Sequence, residues 1–234
     1  MSIADLVERH PEKHTRFLLR GLRRARCRNP KKGIEVGVSR GRNAYNMLES
    51  FPNLHLIGID PWEAFEPEHV SRKFAADFFE ARPRVRQHRV FRHIFKTQEY
   101  HEQNYEIAKA TLEPFSDRID LWRTTSQQAS TQIGDETQDL VFIDGDHTQA
   151  NIDVPLWFAK VKRGGILCGH DYGNWHDWAG HWNVKPSVDK LCEDTGLSVR
   201  LFRCHVWFVV KSTTHEWLEE DDASTITRTR RRRD

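Results

Sequence analysis

Two acid–histidine clusters carry the densest chemistry in this chain. Asp144-Gly145-Asp146-His147 closes the apolar run that opens at Asp139, and His170-Asp171-Tyr172 closes the run that opens at Gly164. Carboxylates and imidazoles hold divalent cations and move protons near neutral pH. A second group lies upstream. Ile34-Glu35-Val36-Gly37-Val38-Ser39-Arg40-Gly41 ends a β-branched run in an acid and two glycines, and Gly58-Ile59-Asp60 ends the next apolar run in another carboxylate. Glycines let backbone approach a ligand closely, and the N–H groups of a following helix start face that ligand. A carboxylate closing the next strand can accept the hydroxyls of a ribose. The two groups together read as a nucleoside-type cofactor site beside an acid–base or metal site.

The glycine pattern excludes a dinucleotide. That fingerprint needs G-x-G-x-x-G, and position 39 is Ser39. Glu35 at the turn would also repel a pyrophosphate.

Such residues need a scaffold that brings distant segments to one edge. Apolar spacing predicts a lead-in helical region over 3–26, broken near Pro11. Strands are expected at 32–37, 54–59, 118–122, 139–144 and 166–169, with helices at 42–50, 99–114, from Ser126, 148–162 and 185–195. Asp153 is expected to cap the 148–162 helix, with Pro155 near its first turn and Gly164-Gly165 ending it. Segments 197–202 and 204–210 are close enough to form an antiparallel hairpin. Alternating strands and helices imply an α/β fold, a Rossmann-like and mostly parallel sheet with helices on both faces and that hairpin at its C-terminal end. Ligands bind such sheets at the carboxyl ends of the strands. Asp144, Asp146, His147, His170 and Asp171 therefore converge in space.

Composition bounds the function. A chain of 234 residues suits one α/β domain with an N-terminal extension. Net charge is +2, which makes no global case for nucleic acid. No stretch approaches the ~20 apolar residues that span a membrane, and the N-terminus lacks a signal-peptide apolar core. Four scattered cysteines without a C-x-x-C pair read as reduced thiols of a cytoplasmic protein. The arginines at 82–92 read as a solvated face or as an entry for an anionic substrate. The segment 173–182 carries Trp175, Trp178 and Trp182, flat apolar walls for an acceptor and a candidate lid.

The acidic-x-Gly-x-x-x-Gly turn resembles motif I of class I S-adenosylmethionine (SAM) methyltransferases. Asp-Gly-Asp-His after the fourth strand, Gly-Gly-x-x-x-Gly-His-Asp-Tyr around the fifth, and Val184-Lys185-Pro186-Ser187-Val188-Asp189 look like methyltransferase domain family 24. A fainter likeness extends to macrocin-type and catechol-type O-methyltransferases. The resemblance implies a methyltransferase domain over 30–211, with 1–29 as an N-terminal helical extension, 63–97 as a helical insertion or lid, and 212–234 as a polar, disordered tail. It implies SAM as cofactor, held by Glu35, Gly37, Ser39, Gly41, Asp60, Ser126 and Asp144. Asp146, His147 and His170 are the candidate catalytic residues. Carried over from the metal-dependent enzymes, Asp144 and Asp171 would bind a divalent cation, Mg²⁺ or Mn²⁺. His170 stands where those enzymes place an acid, which weakens the magnesium reading or shifts it to a softer ion. The expected reaction is O-methylation of a small molecule, a sugar or natural-product scaffold. A nucleic-acid methyltransferase and an inactive SAM-binding relative are the alternatives. The partner is then a small-molecule acceptor rather than a membrane or nucleic acid, and a homo-oligomer is compatible with the sequence.

Overall fold

The computed structural model describes residues 3–7, 9–25, 27, 29–64, 97–173 and 183–211. Most of the expected 63–97 insertion, the tryptophan-rich segment and the 212–234 tail lie outside the described residues. A 3-10 turn (Ala4–Leu6) precedes helix α1 (Lys13–Arg24). The chain continues with β1 (Lys32–Val36), α2 (Arg42–Ser50), β2 (His55–Ile59), α3 (Gln98–Leu112), β3 (Ile119–Trp122) and α4 (Ser126–Ser130). β4 (Gln138–Ile143), α5 (Ala150–Lys160), β5 (Val161–Gly169), α6 (Val184–Thr195), β6 (Val199–Phe202) and β7 (Val206–Val210) complete it. No described helix is long and apolar enough to cross a membrane.

The strands form one seven-stranded sheet in the order β3-β2-β1-β4-β5-β7-β6. All neighbours are parallel until β7, which runs antiparallel to both β5 and β6. The order reverses between β1 and β4, and this switch point is where an open α/β sheet binds ligands. Register does the positioning. Val36 pairs with Ile59 on one side and Ile143 on the other, and Ile143 pairs with Gly169. Gly37, Asp60, Asp144 and His170 therefore each follow the last matched residue of neighbouring strands, and all emerge at one edge.

Alternation along the central strands splits the core between the two faces of the sheet. Leu140 and Phe142 of β4 and Phe208 of β7 pack with α1 and α2, through Leu18, Leu22 and Leu48. Val141, Ile143 and Trp207 pack on the other face with Trp157 of α5 and Val188 of α6. The N-terminal helix packs into the main core: Leu18 and Leu22 are fully buried, and Gly21 lies against the Phe208 ring.

Two local expectations are corrected. α5 ends at Lys160, before the glycines, and β5 begins at once. Gly164, with φ +77°, instead lies inside β5 near an irregular register with β4. Asp153 does not cap a helix; it is a buried residue within α5 that accepts a hydrogen bond from Ser126 Oγ at 2.6 Å. Asp146 caps the 3-10 turn His147–Gln149 that leads into α5, accepting from Thr148 N at 2.9 Å.

Candidate functional site

The turn after β1 is held in place by a carboxylate. Asp60 Oδ2 accepts from the backbone N–H groups of Val38 and Ser39 (3.1 and 2.9 Å), and Oδ1 accepts from Trp62 N (2.8 Å). Burial raises the Asp60 pKa, against these three hydrogen bonds. A carboxylate offers about four acceptor positions, so one remains for a ligand hydroxyl. Trp62 is buried and returns a bond from its indole N–H to Ser39 O at 2.8 Å. Ser39 and Trp62 both have positive φ, at 52° and 47°, a left-handed conformation that surrounding bonds must enforce. Gly37 (φ +91°) has no room for a side chain, since a Cβ would lie 2.4 Å from Asp144 O. Gly41 (φ +77°) begins α2 in the left-handed region.

Behind this turn Glu35 is 1% exposed and accepts from Asn43 Nδ2 at 2.9 Å. Burial pushes its pKa up to about 8, with Asp144 and Asp60 adding to the effect. Glu35 Oε2 and Asn43 Oδ1 are buried acceptors without a donor. Ser126 is further off. Its hydroxyl donates to Asp153 and accepts from Trp157 Nε1 at 2.7 Å, which ties α4 to α5.

Beside Asp144 lies the acid–histidine cluster. His147 Nε2 is 2.8 Å from Asp171 Oδ2. His170 Nδ1 lies 3.5 Å from Asp144 Oδ1 and 3.3 Å from Asp171 Oδ2. Asp171 has φ 57°. The cluster is anchored from behind: Asn183 N donates to His147 O (3.0 Å) at the start of α6, and Trp207 Nε1 donates to His170 O (3.0 Å) from β7. Burial opposes charge on His170, but Asp144 and Asp171 outweigh it and push its pKa up to about 11. Burial likewise opposes charge on His147, and the bond to Asp171 wins, so its pKa is raised. Burial also pushes Asp171 upward, yet both imidazoles outweigh it and hold it well below the usual carboxylate range.

One member was missed by the sequence reading. His14, on α1, stacks on His170 with ring centroids 4.6 Å apart, and its Nε2 lies 4.0 Å from Asp144 Oδ2. Burial and the neighbouring His170 lower its pKa against the pull of Asp144. A signal was present: His14 falls four residues before Leu18, on the stripe that continues through Leu18 and Leu22 into the core. A histidine on an otherwise apolar face had to meet a polar partner.

A family profile of methyltransferase domains (family 24) matches residues 34–172, more than half of the chain. The chain belongs to this methyltransferase domain family. No curated protein matches it significantly. Among solved structures it is similar to a Corynebacterium glutamicum protein, with 16% identity, a TM-score of 0.58, and 88% of this chain and 84% of that one covered. A Bacillus cereus O-methyltransferase in complex with SAH (S-adenosylhomocysteine) shows 13% identity and a TM-score of 0.56, over 89% and 86% of the two chains. The O-methyltransferase TomG of Streptomyces achromogenes, involved in tomaymycin synthesis and solved with SAM, shows 12% identity and 0.56, over 88% and 82%. At these identities the likeness is one of fold.

The matched region of the methyltransferase domain holds every sequence-predicted site residue. The structure brings Glu35, Gly37, Ser39, Gly41, Asp60 and Asp144 to one edge, with Asp146, His147, His170 and Asp171 beside them, and leaves the Ser126 hydroxyl between α4 and α5. His14 lies outside the matched region. The donor set does not suit magnesium. Among the described residues, Asp144, His147 and Asp171 each offer a ligand atom within 4.8 Å of the others, so a nitrogen joins the oxygens that Mg²⁺ demands.

Proposed function

We propose that this domain is a SAM-dependent O-methyltransferase acting on a small molecule with a hydroxyl acceptor. One observation carries the reading: the strand register sets a glycine turn and the carboxylates Asp60 and Asp144 at one edge, directly beside a cluster of imidazoles. When bound, SAM supplies a methyl group on a sulfonium and leaves as a neutral thioether. The residues suit that ligand. Glu35 and Asn43 present buried acceptors that lack a donor, which fits an ammonium group. Asp60 retains an acceptor position for a ribose hydroxyl while it fixes the turn. Asp144 places negative charge near the sulfonium.

The acceptor hydroxyl must lose its proton as the new bond to carbon forms. His14, whose pKa is lowered, and Asp146 are the candidate acceptors of that proton. His147 and His170, with raised pKa values, would instead place positive charge beside the developing oxyanion, with Asp171 holding the His147 ring in orientation. α1 lays His14 over the same residues, which fixes geometry and limits water.

Calorimetry with SAH tests the cofactor half. Asp60→Ala should weaken SAH at least tenfold, since charge-assisted hydrogen bonds contribute roughly 1.5–3 kcal/mol. Unchanged affinity would place the cofactor elsewhere. For the chemical half, His14→Ala, Asp146→Asn, His147→Ala and His170→Ala are compared for turnover on an acceptor found by screening. Each should still bind SAH, and at least one should lose the ~10²–10⁴ in rate that a positioned base contributes. Full activity in all four would refute acid–base catalysis by this cluster.

A further inference from the structure

We propose that Asp144, His147 and Asp171 form a binding site for a divalent first-row transition cation, of the Co²⁺, Fe²⁺ or Zn²⁺ kind, that discriminates against Mg²⁺. This departs from the all-oxygen arrangement implied by the likeness to magnesium-dependent O-methyltransferases. It requires neither the methyl acceptor nor the cofactor.

Distance is the first argument. One ligand atom from each residue lies within 4.8 Å of the other two, so a cation with bonds of about 2.0–2.2 Å to nitrogen and oxygen can meet all three with small adjustments. His147 Nε2 and Asp171 Oδ2 already sit 2.8 Å apart. Neighbouring ligands on one ion lie at a similar separation, so a cation held by both needs no rebuilding of either side chain.

Preorganisation is the second. The backbone of each ligand is fixed: Asp144 N donates to Val36 O at 2.8 Å, and His147 O accepts from Asn183 N at 3.0 Å. Asp171 takes the left-handed conformation, φ 57°. His170 Nδ1 faces both carboxylates, at 3.5 and 3.3 Å, and would hold them in orientation without itself binding the ion, as outer partners of metal ligands do. The ring of His14 closes over His170.

Donor chemistry is the third. Two carboxylates neutralise a divalent charge, and a neutral imidazole nitrogen raises affinity for borderline ions while offering little to Mg²⁺, which prefers an octahedron of oxygens. Three protein ligands leave open positions, where a bound hydroxyl would lose its proton more readily.

The test uses the full chain without an affinity tag, stripped with a chelator and titrated with Co²⁺. Visible absorption should report one Co²⁺ per chain, displaced by stoichiometric Zn²⁺ and unaffected by millimolar Mg²⁺. His147→Gln and Asp171→Asn should each weaken Co²⁺ at least tenfold, while His55→Gln, an exposed position on β2, should not change it. Circular dichroism checks that the variants fold, and Asp144→Asn replaces either one that does not. Failure to bind Co²⁺, competition by Mg²⁺ at concentrations equal to those of Zn²⁺, or parental affinity in His147→Gln would each overturn the proposal. The last would assign the ion to other histidines of the thirteen in the chain.

Discussion

Gly37 and Gly145 face each other across the turns that follow β1 and β4, yet only one of them has to be glycine. At Gly37 a Cβ would meet Asp144 O at 2.4 Å and Gly145 N at 2.6 Å, with φ at +91°; at Gly145 the nearest atom is 3.5 Å away. Gly37→Ala should therefore destabilise the fold by at least about 2 kcal/mol and weaken SAH, while Gly145→Ala should stay within about 0.5 kcal/mol. Urea unfolding of the two variants decides it, and equal effects would refute the steric account. Asp153 poses a different residue-scale question. Burial pushes its carboxyl up to about 6, against the hydrogen bond from Ser126. A carboxyl raised on folding binds its proton more tightly in the native state. Its contribution to stability is then fully present below the unfolded value near 3.9 and lost as pH rises through about 6. Asp153→Asn keeps an acceptor for Ser126 and removes the charge. It should stabilise the protein by about 1–3 kcal/mol at pH 7.5 and leave it nearly unchanged at pH 4. A difference that does not depend on pH would refute burial as the cause.

At the scale of elements, α1 does two jobs. Leu18 and Leu22 are fully buried against the sheet, and a turn earlier His14 reaches the acid–histidine cluster. The jobs are separable by mutation. Leu22→Ala should cost about 2–5 kcal/mol, as large-to-small changes in a packed core do. Arg16→Ala, on the exposed side of the same helix, should cost less than about 0.5 kcal/mol. His14→Ala should lie near Arg16→Ala in stability. Thermal unfolding checks the order, and a Leu22→Ala protein as stable as its parent would show that α1 is only loosely docked. The same helix marks where the sequence stopped being legible. Its amphipathic spacing gave the helix, and a repeat of β-branched runs gave the strands, because both signals are local. That α1 joins the central core depends on Gly21 meeting Phe208, a contact between the two ends of the chain that no local pattern encodes. Gly164-Gly165 misled for a related reason. Glycine pairs commonly end helices, but here they relax the register of β5 against β4, a constraint set by the neighbouring strand. Asp153 near a helix start reads as a cap until the partner, Ser126, is seen on another helix.

For the whole molecule, the order of strands matters more than any one of them. The acids of the site come from β1, β2, β4 and β5, and the sheet aligns them because consecutive pairings end in step. Motif chemistry was therefore readable from the sequence, since each motif closes its own strand. Convergence with His14 was not, because it needs the sheet and α1 together. Both faces of the sheet share the same central strands, so the described fold should unfold as one cooperative unit, and a ligand that binds only the native form should shift the whole transition. At a concentration of 100 times its dissociation constant, SAH would add about 2.7 kcal/mol. For a chain of this size each kcal/mol raises the melting temperature by about 2–4 °C, so the expected rise is about 5–11 °C. Scanning calorimetry with SAH, and separately with NADH, makes the comparison. The glycine turn with Ser39 in place of glycine, and with Glu35 behind it, predicts a single sharpened transition with SAH and none of this shift with NADH. A shift with NADH alone would assign the turn to a dinucleotide and remove the basis for methyl transfer. Splitting into two transitions on adding SAH would mean instead that the sheet's two faces are not coupled as their shared strands require.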